Sequence, residues 1–251
     1  MGLGSTAKSL AMALACLTFA LACNAASRAP AKALAGDAIM GAAEAKVTLI
    51  EFAAPTCPVC KGWHDQVFSK IKAAYIDTNK IKFSLRELPS HNPPVDAAIF
   101  AIARCSGPGE YFKVIDEAFE KRDEIEKASQ GPDGARPALT DLAKRHGVSA
   151  ERFEVCLKAP ENAQRLQDVQ ADAEKRGVQG TPTLFLNDEK VPEDGYQFDA
   201  LSAKINAALA APQGAGTAMP APAAPATPGA APSAAPSAAP GPSAGPPVKP
   251  N

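Results

Sequence analysis

Aromatic residues make up only 6% of the 251 residues, with one tryptophan and three tyrosines, and histidine occurs three times. The histidines stand apart at His64, His91 and His146, and only Cys57 and Cys60 form a CxxC pair. A zinc site would lack the second CxxC or HxxxH pair that completes such a centre. No metal is expected. Charge of one sign is also missing: 26 Lys and Arg face 27 Asp and Glu, a net of −1. That removes the electrostatic case for a nucleic-acid partner. The apolar run Leu10 to Ala22 is too short for a comfortable membrane span.

That run instead suits a signal peptide over residues 1–22, with Lys8 before it and small residues, Ala20-Leu-Ala22, at the cleavage spacing. Cys23 follows at once, so the stretch also resembles a bacterial lipoprotein signal, in which Cys23 becomes the lipidated first residue. Residues 23–36 are small and polar, a flexible tether. At the other end, residues 211–251 hold half of the 24 prolines and a single charged side chain, Lys249. With nothing aromatic to bury, this tail cannot offset the entropy of ordering and is expected to be disordered. The foldable part is therefore about 37–210, enough for one domain with a real core. Six cysteines in an exported chain suit an oxidising compartment.

Within that domain, the stretch Glu51-Phe-Ala-Ala-Pro-Thr-Cys57-Pro-Val-Cys60-Lys-Gly-Trp63 organises the rest. The run Val47–Phe52 reads as a strand. Trp63, Val67, Phe68, Ile71 and Tyr75 then recur at helical spacings of three and four. Residues i and i+3 share a helix face, so Cys57 and Cys60 can meet. Cys57 falls at the helix N-terminus, where unpaired N–H groups and the dipole favour a thiolate. Strand, CxxC and helix in that order read as a redox centre. The competing reading, a structural Cys57–Cys60 disulfide, closes too small a loop to stabilise much. Trp63 is expected to anchor the core behind the helix, and His64 to be solvated or to act as a cap.

Farther along, Ile81–Leu88 alternates apolar and charged residues and reads as a second strand, ended by Pro89 and Pro93-Pro94. Helical patterns follow at 95–105, 110–128, 137–146, 150–157 and 161–176, punctuated by Gly and Pro. Gly180-Thr-Pro-Thr183 opens another strand, 183–187. A short strand near Val191 and an amphipathic helix, 198–209, close the domain. Cys105 and Cys156 lie on apolar faces in the helical region, either as a disulfide or as two buried thiols.

This order of elements resembles the DsbA-like thioredoxin-fold oxidoreductases of bacterial envelopes, and most closely the subgroup called "27 kDa outer membrane protein". Ile39-Met-Gly41, Ala45-Lys-Val-Thr48, Glu51, Cys57-Pro-Val-Cys60, Ala103-Arg-Cys105, Cys156 and Val178-Gln-Gly-Thr-Pro-Thr183 carry the resemblance. It implies an α/β thioredoxin fold with a helical insertion, about 94–177, between the second strand and a strand preceded by a cis proline. It pairs Cys105 with Cys156 in a structural disulfide. It makes Cys57 the exchanging thiol, Cys60 the resolving one and Glu51 a buried carboxylate that moves the resolving thiol's proton. It places Thr181 and Pro182 opposite the cysteines, to bind an extended substrate segment.

The activity implied is thiol–disulfide exchange on reduced secreted proteins in the periplasm or cell envelope. No diffusible cofactor is implied, and a quinone-linked DsbB-like membrane protein would be the reoxidant. The strongest oxidants of this kind carry His just before the second cysteine. Val59 stands there, which leaves disulfide isomerase or reductase as the alternative. Residues 24–36 are too few for the dimerisation domain of the V-shaped isomerases. A non-enzymatic envelope protein on the same scaffold is the reading from a different class.

Overall fold

The computed structural model describes residues 33–211. The expected signal peptide, Cys23, most of the tether and nearly all of the Ala/Pro-rich tail lie outside them. Five strands among these residues form one sheet: β1 (Ala38–Gly41), β2 (Thr48–Ala53), β3 (Lys82–Glu87), β4 (Thr183–Leu186) and β5 (Glu189–Lys190). Their order is β1-β3-β2-β4-β5. β2 pairs in parallel with β3 and antiparallel with β4, so the apolar run before the CxxC becomes the central strand, buried at every position. A central strand covered on both faces needs apolar side chains in succession rather than in alternation.

Period-2 geometry sends successive β2 side chains to opposite faces. Leu49 and Ala53 enter the large core, and Ile50 and Phe52 a smaller one with Val169, Ala173 and Phe185. Glu51, between Ile50 and Phe52, therefore shares the face of Leu49 and Ala53. On that face lies the helix that follows the cysteines. α1 (Pro58–Trp63) and α2 (Ser69–Ile71) belong to one continuous helical run with π turns at His64–Phe68 and Lys72–Ile76. Trp63, Val67, Phe68, Ile71 and Tyr75 are all buried in it.

Between β3 and β4 the chain inserts six helices: α3 (Pro93–Cys105), α4 (Tyr111–Glu120), α5 (Arg122–Ser129), α6 (Arg136–Arg145), α7 (Ala150–Leu157) and α8 (Pro160–Lys175). α9 (Phe198–Ala210) follows β5, with Leu201 and Ile205 fully buried. α8 supplies Val169 and Ala173 to the smaller core, so helices cover the sheet on both faces. The α/β fold with a helical insertion is the one the resemblance implied.

One strand escaped the sequence pattern. β1 has only four residues, alternately half-buried and exposed, at the sheet edge against β3. Gly41 ends it at φ +88°, where an added Cβ would meet Ile81 O at 2.7 Å. Glycine is required there both by conformation and by space.

Candidate active site

Cys57 is the N-cap of α1, with extended backbone (φ −71°, ψ 119°), and Pro58 occupies the first turn, where its missing N–H costs nothing. The cap side chain accepts from the Cys60 N–H, Sγ to N 3.4 Å. Both cysteines are free thiols here and both are buried, Cys57 6% exposed and Cys60 fully enclosed. Their environments drive them apart. Hydrogen bonding from the Cys60 side chain is the main influence bringing the Cys57 thiol down to about 5. Burial opposes it, and the Thr181 side chain and the backbone N–H groups of Cys60 and Val59 assist. Cys60 is pushed far up by burial first, then by its bond to Cys57 and by the negative charge of Glu51. One thiolate nucleophile beside one reluctant thiol is a division of labour suited to exchange.

The loop before Cys57 is held from three directions. Thr56 N–H donates to Asp96 Oδ1 at 2.9 Å, Thr56 Oγ1 accepts from Asn92 N–H at 3.0 Å, and Arg122 Nε donates to Thr56 O at 2.7 Å. Asp96 also accepts from Ser90 N–H at 3.0 Å, and so ties this loop to the one after β3. Burial raises the Asp96 carboxyl, and the backbone and Thr56 bonds only partly offset it. Sequence spacing gave no sign of Asp96 or Arg122, which arrive from the helical insertion.

Opposite Cys57 stands the Thr181–Pro182 segment, with a cis peptide bond between the two residues. The Cys57 thiol donates to Thr181 O at 3.2 Å, and Thr181 Oγ1 pairs with Ser90 Oγ at 2.8 Å. A cleft of about 560 Å³ runs beside them, lined by Val59, Gly180, Thr181, Pro182, Val191 and Tyr196 among others. Val59 is 64% exposed, a large apolar side chain open to solvent next to the reacting sulfur. Trp63 anchors the core as expected: it is buried, and its Nε1 donates to Tyr196 O at 3.0 Å.

Glu51 lies beneath α1, fully buried, where the resemblance put the proton-handling carboxylate. His64 is at the C-cap of α1, its backbone N–H bonded to Cys60 O and Lys61 O, but it is not solvated: it is 8% exposed, and its Nε2 lies 2.8 Å from Glu51 Oε2. Its ring packs at a tilt against Phe68 and Phe119, centroids 4.5 and 4.2 Å away. The covering side comes from α4, far along the chain, and His64 itself opens the first π turn. Helical spacing alone could show neither.

Cys105, at the end of α3, and Cys156, in α7, form the disulfide that the resemblance paired. No group of three or more His, Cys, Asp or Glu among the described residues is arranged to hold a metal ion. Away from the cysteines, Arg86 and Glu87 at the end of β3 are buried in an ionic cluster. Arg86 reaches Asp37 at 3.0 Å and Asp172 at 2.5 Å; Arg165 reaches Asp37 at 2.7 Å and Glu87 at 2.8 Å. Tyr111 Oη adds a bond to Glu87 at 2.9 Å.

A family model described as "Thioredoxin" matches residues 34–207. A Rickettsia bellii protein provisionally named a protein-disulfide oxidoreductase is 30% identical over 174 residues, covering 69% of this chain and 64% of the relative. "Disulfide bond formation protein D" of Bacillus subtilis is 27% identical over 177 residues, covering 69% of this chain and 78% of the relative. The chain thus spans a little under two thirds of the Rickettsia relative's length. Among solved structures, oxidised BdbD from Bacillus subtilis aligns with TM-score 0.60 at 22% identity, over 73% of this chain and 98% of that one. Wolbachia pipientis alpha-DsbA1 aligns with TM-score 0.59 at 23% identity, over 70% and 92%. The fold is thus the one seen in DsbA-like proteins. By its sheet, its cysteine pair at a helix N-terminus and the family match across the whole described domain, the chain belongs to the thioredoxin family.

Proposed function

We propose that this protein is an exported thiol–disulfide oxidoreductase that introduces disulfides into secreted proteins. One observation carries the reading: Cys57, lowered to about 5, faces Thr181 beside an open cleft while Cys60 is buried and held as a thiol. The names of the relatives point the same way.

In the oxidised enzyme a substrate thiolate attacks Cys57 Sγ. The Cys57–Cys60 bond breaks, and Cys60 leaves with the electron pair and takes a proton. The substrate's second thiolate then attacks its own sulfur in the mixed disulfide. Cys57 departs as a thiolate, which the helix terminus and neighbouring donors stabilise. Two electrons have moved from substrate to enzyme, and the substrate carries the disulfide. No diffusible cofactor is needed. A DsbB-like quinone-linked membrane protein fits the role of reoxidant. An extended segment of the client would lie in the cleft along Thr181 and Pro182, its backbone meeting theirs as in strand addition.

The setting is the periplasm or cell envelope, reached by the N-terminal signal, with lipidation at Cys23 as an anchor. No helix among the described residues is long and apolar enough to cross a membrane. A second reading, isomerase or reductase, draws on Val59, whose side chain offers the Cys57 thiolate no donor.

Refolding of a reduced secreted ribonuclease by the oxidised protein tests the activity. Stoichiometric gain of ribonuclease disulfides, abolished by Cys57→Ala, is expected. Unchanged function in Cys57→Ala would leave only a scaffold. The equilibrium potential against glutathione separates oxidase from reductase.

A further inference from the structure

Cys60 and Glu51 are both without exposed surface, yet thiol–disulfide exchange makes Cys60 gain or lose a proton at every turnover. Cys57 contacts Thr181, which lines the open cleft, but a substrate joined to Cys57 would cover that side while Cys60 must still exchange its proton. Glu51 offers two oxygens. Oε2 is bonded to His64 Nε2 at 2.8 Å, and Oε1 is buried with no hydrogen-bond partner among the described residues. His64 has a second connection. It lines a separate cleft of about 250 Å³ with Lys61, Asp65, Lys72, Asp116 and Glu120, which shares no lining residue with the cleft beside Val59. His64 thus touches the buried carboxylate on one side and a solvent-reaching cleft on the other.

We propose that His64 is a positioning residue that relays the proton of Cys60, through Glu51, to and from this second cleft. The proposal rests on the oxidoreductase reading above and adds a residue and an exit to it. When Cys60 attacks a mixed disulfide, its S–H bond breaks and an O–H bond forms on the Glu51 carboxylate. The carboxyl then delivers that proton to the ring of His64, which releases one to water in the cleft. When Cys60 leaves as a thiolate, the same steps run backwards. One proton crosses for each Cys60 bond made or broken, and no charge stays buried.

The groups around the ring suit this task. Imidazole is the side chain whose ordinary range allows both uptake and release near neutral pH. Glu51 meets it from β2, and Asp116 and Glu120 from α4. Lys61, Asp65 and Lys72 come from its own helical run, while Phe68 and Phe119 hold the ring in place. The Asp116 carboxyl is raised by burial and drawn back by His64 and Lys72.

The test follows a single event: release of glutathione from a Cys57–glutathione mixed disulfide as Cys60 closes on Cys57. His64→Gln keeps an N–H for Glu51 Oε2 but cannot carry a proton. It is expected to release glutathione about tenfold or more slowly near pH 7, the scale of a lost proton-transfer group, with a flattened pH profile and parental Cys57 alkylation. His64→Ala should be equally slow and should recover as imidazole is added. Glu51→Gln should match or exceed the loss.

A His64→Gln variant with the parental rate and pH profile would show that the hydrogen bond alone suffices, and would overturn the relay. So would a His64→Ala variant indifferent to imidazole. If neither variant folds, the ring-nitrogen NMR signals of His64 in the parent chain decide. They should report the ring proton on different nitrogens in the disulfide and mixed-disulfide forms, and the same tautomer in both overturns the proposal. A parent chain that never forms the mixed disulfide defeats the oxidoreductase reading itself, an outcome visible before any His64 variant is made.

Discussion

The backbone N–H of Cys60 points at the sulfur of Cys57, 3.4 Å away, so the exchanging thiol is served by the turn that carries its partner. With the Cys60 thiol, Thr181 and the Val59 N–H, this brings Cys57 to about 5 despite its burial. Alkylation of the reduced protein by iodoacetamide should therefore label Cys57 alone, with a rate that rises through a midpoint near 5 and levels off by pH 7. The sign extends to stability. A depressed acid stabilises the fold fully above its unfolded value, near 8.5, and loses that contribution as pH falls through about 5. The reduced form should gain on the oxidised form between pH 5 and 8 in paired denaturation curves. A Cys57 midpoint above 8 would remove the basis for both expectations.

The second pair of cysteines should behave in the opposite way. Cys105 and Cys156 are 51 residues apart in sequence and lie between packed helices, with Cys156 buried. Mild reduction followed by alkylation and mass mapping should modify Cys57 and Cys60 well before Cys105 and Cys156. In the chain-entropy account, a loop of that length contributes about 4 kcal/mol. A Cys105→Ala, Cys156→Ala double variant should lose stability on that scale in urea while retaining Cys57 alkylation at the parental rate. Early labelling of Cys105 would reverse the assignment.

What could be read in advance was local. Glu51, Cys57, Pro58 and Cys60 sit within ten residues, and their roles follow from a strand feeding a helix N-terminus. Thr181 and Pro182 are distant, and only the family resemblance brought them to the cysteines. The rest depended on long-range packing. His64 looked solvated because the ring that covers it, Phe119, arrives with α4. β3 showed charged residues in alternation with apolar ones, the usual sign of a face open to water. Arg86 and Glu87, which leave the strand on opposite sides, are instead fully buried, because α8 brings Asp172 to Arg86 and Arg165 to Glu87, and the segment before β1 brings Asp37 to Arg86. Their partners lie 17 to 86 residues away, beyond the strand's own periodicity.

That buried cluster makes a stability prediction of its own. Burial pushes the Asp37 carboxyl up, but Arg86 and Arg165 outweigh it and hold the group below its ordinary value. Truncating one member leaves an uncompensated buried charge, a cost of about 3–5 kcal/mol. Arg165→Met should therefore lower the unfolding free energy by that amount at pH 7. Because the native Asp37 is depressed, its contribution is present above about pH 4 and fades as pH falls through its native value. The penalty of Arg165→Met should shrink in the same acid range. Denaturant titrations of parent and variant between pH 3 and 7 measure both, and a penalty constant across that range would contradict the linkage.

The side chain at position 59 decides how strong an oxidant this centre can be. Val59 contributes its backbone N–H to the Cys57 thiolate, but its side chain, open to solvent beside Thr181 and Pro182, has no donor to add. Every donor to the thiolate stabilises the reduced enzyme, and a stabilised reduced form makes its disulfide the better oxidant. Val59→His supplies one donor at an exposed site, where the ring can turn toward the sulfur without repacking the core. A charge-assisted hydrogen bond is worth about 1.5–3 kcal/mol, and about 30 mV corresponds to about 1.4 kcal/mol for a two-electron couple. The variant should thus be more oxidising by roughly 30–60 mV, with Cys57 ionising at lower pH than in the parent. Glutathione titration gives the first quantity and thiolate absorbance the second. A Val59→His protein no more oxidising than its parent would show that the backbone and Cys60 already satisfy the thiolate. The choice of residue before the second cysteine would then not set the direction of exchange in this chain.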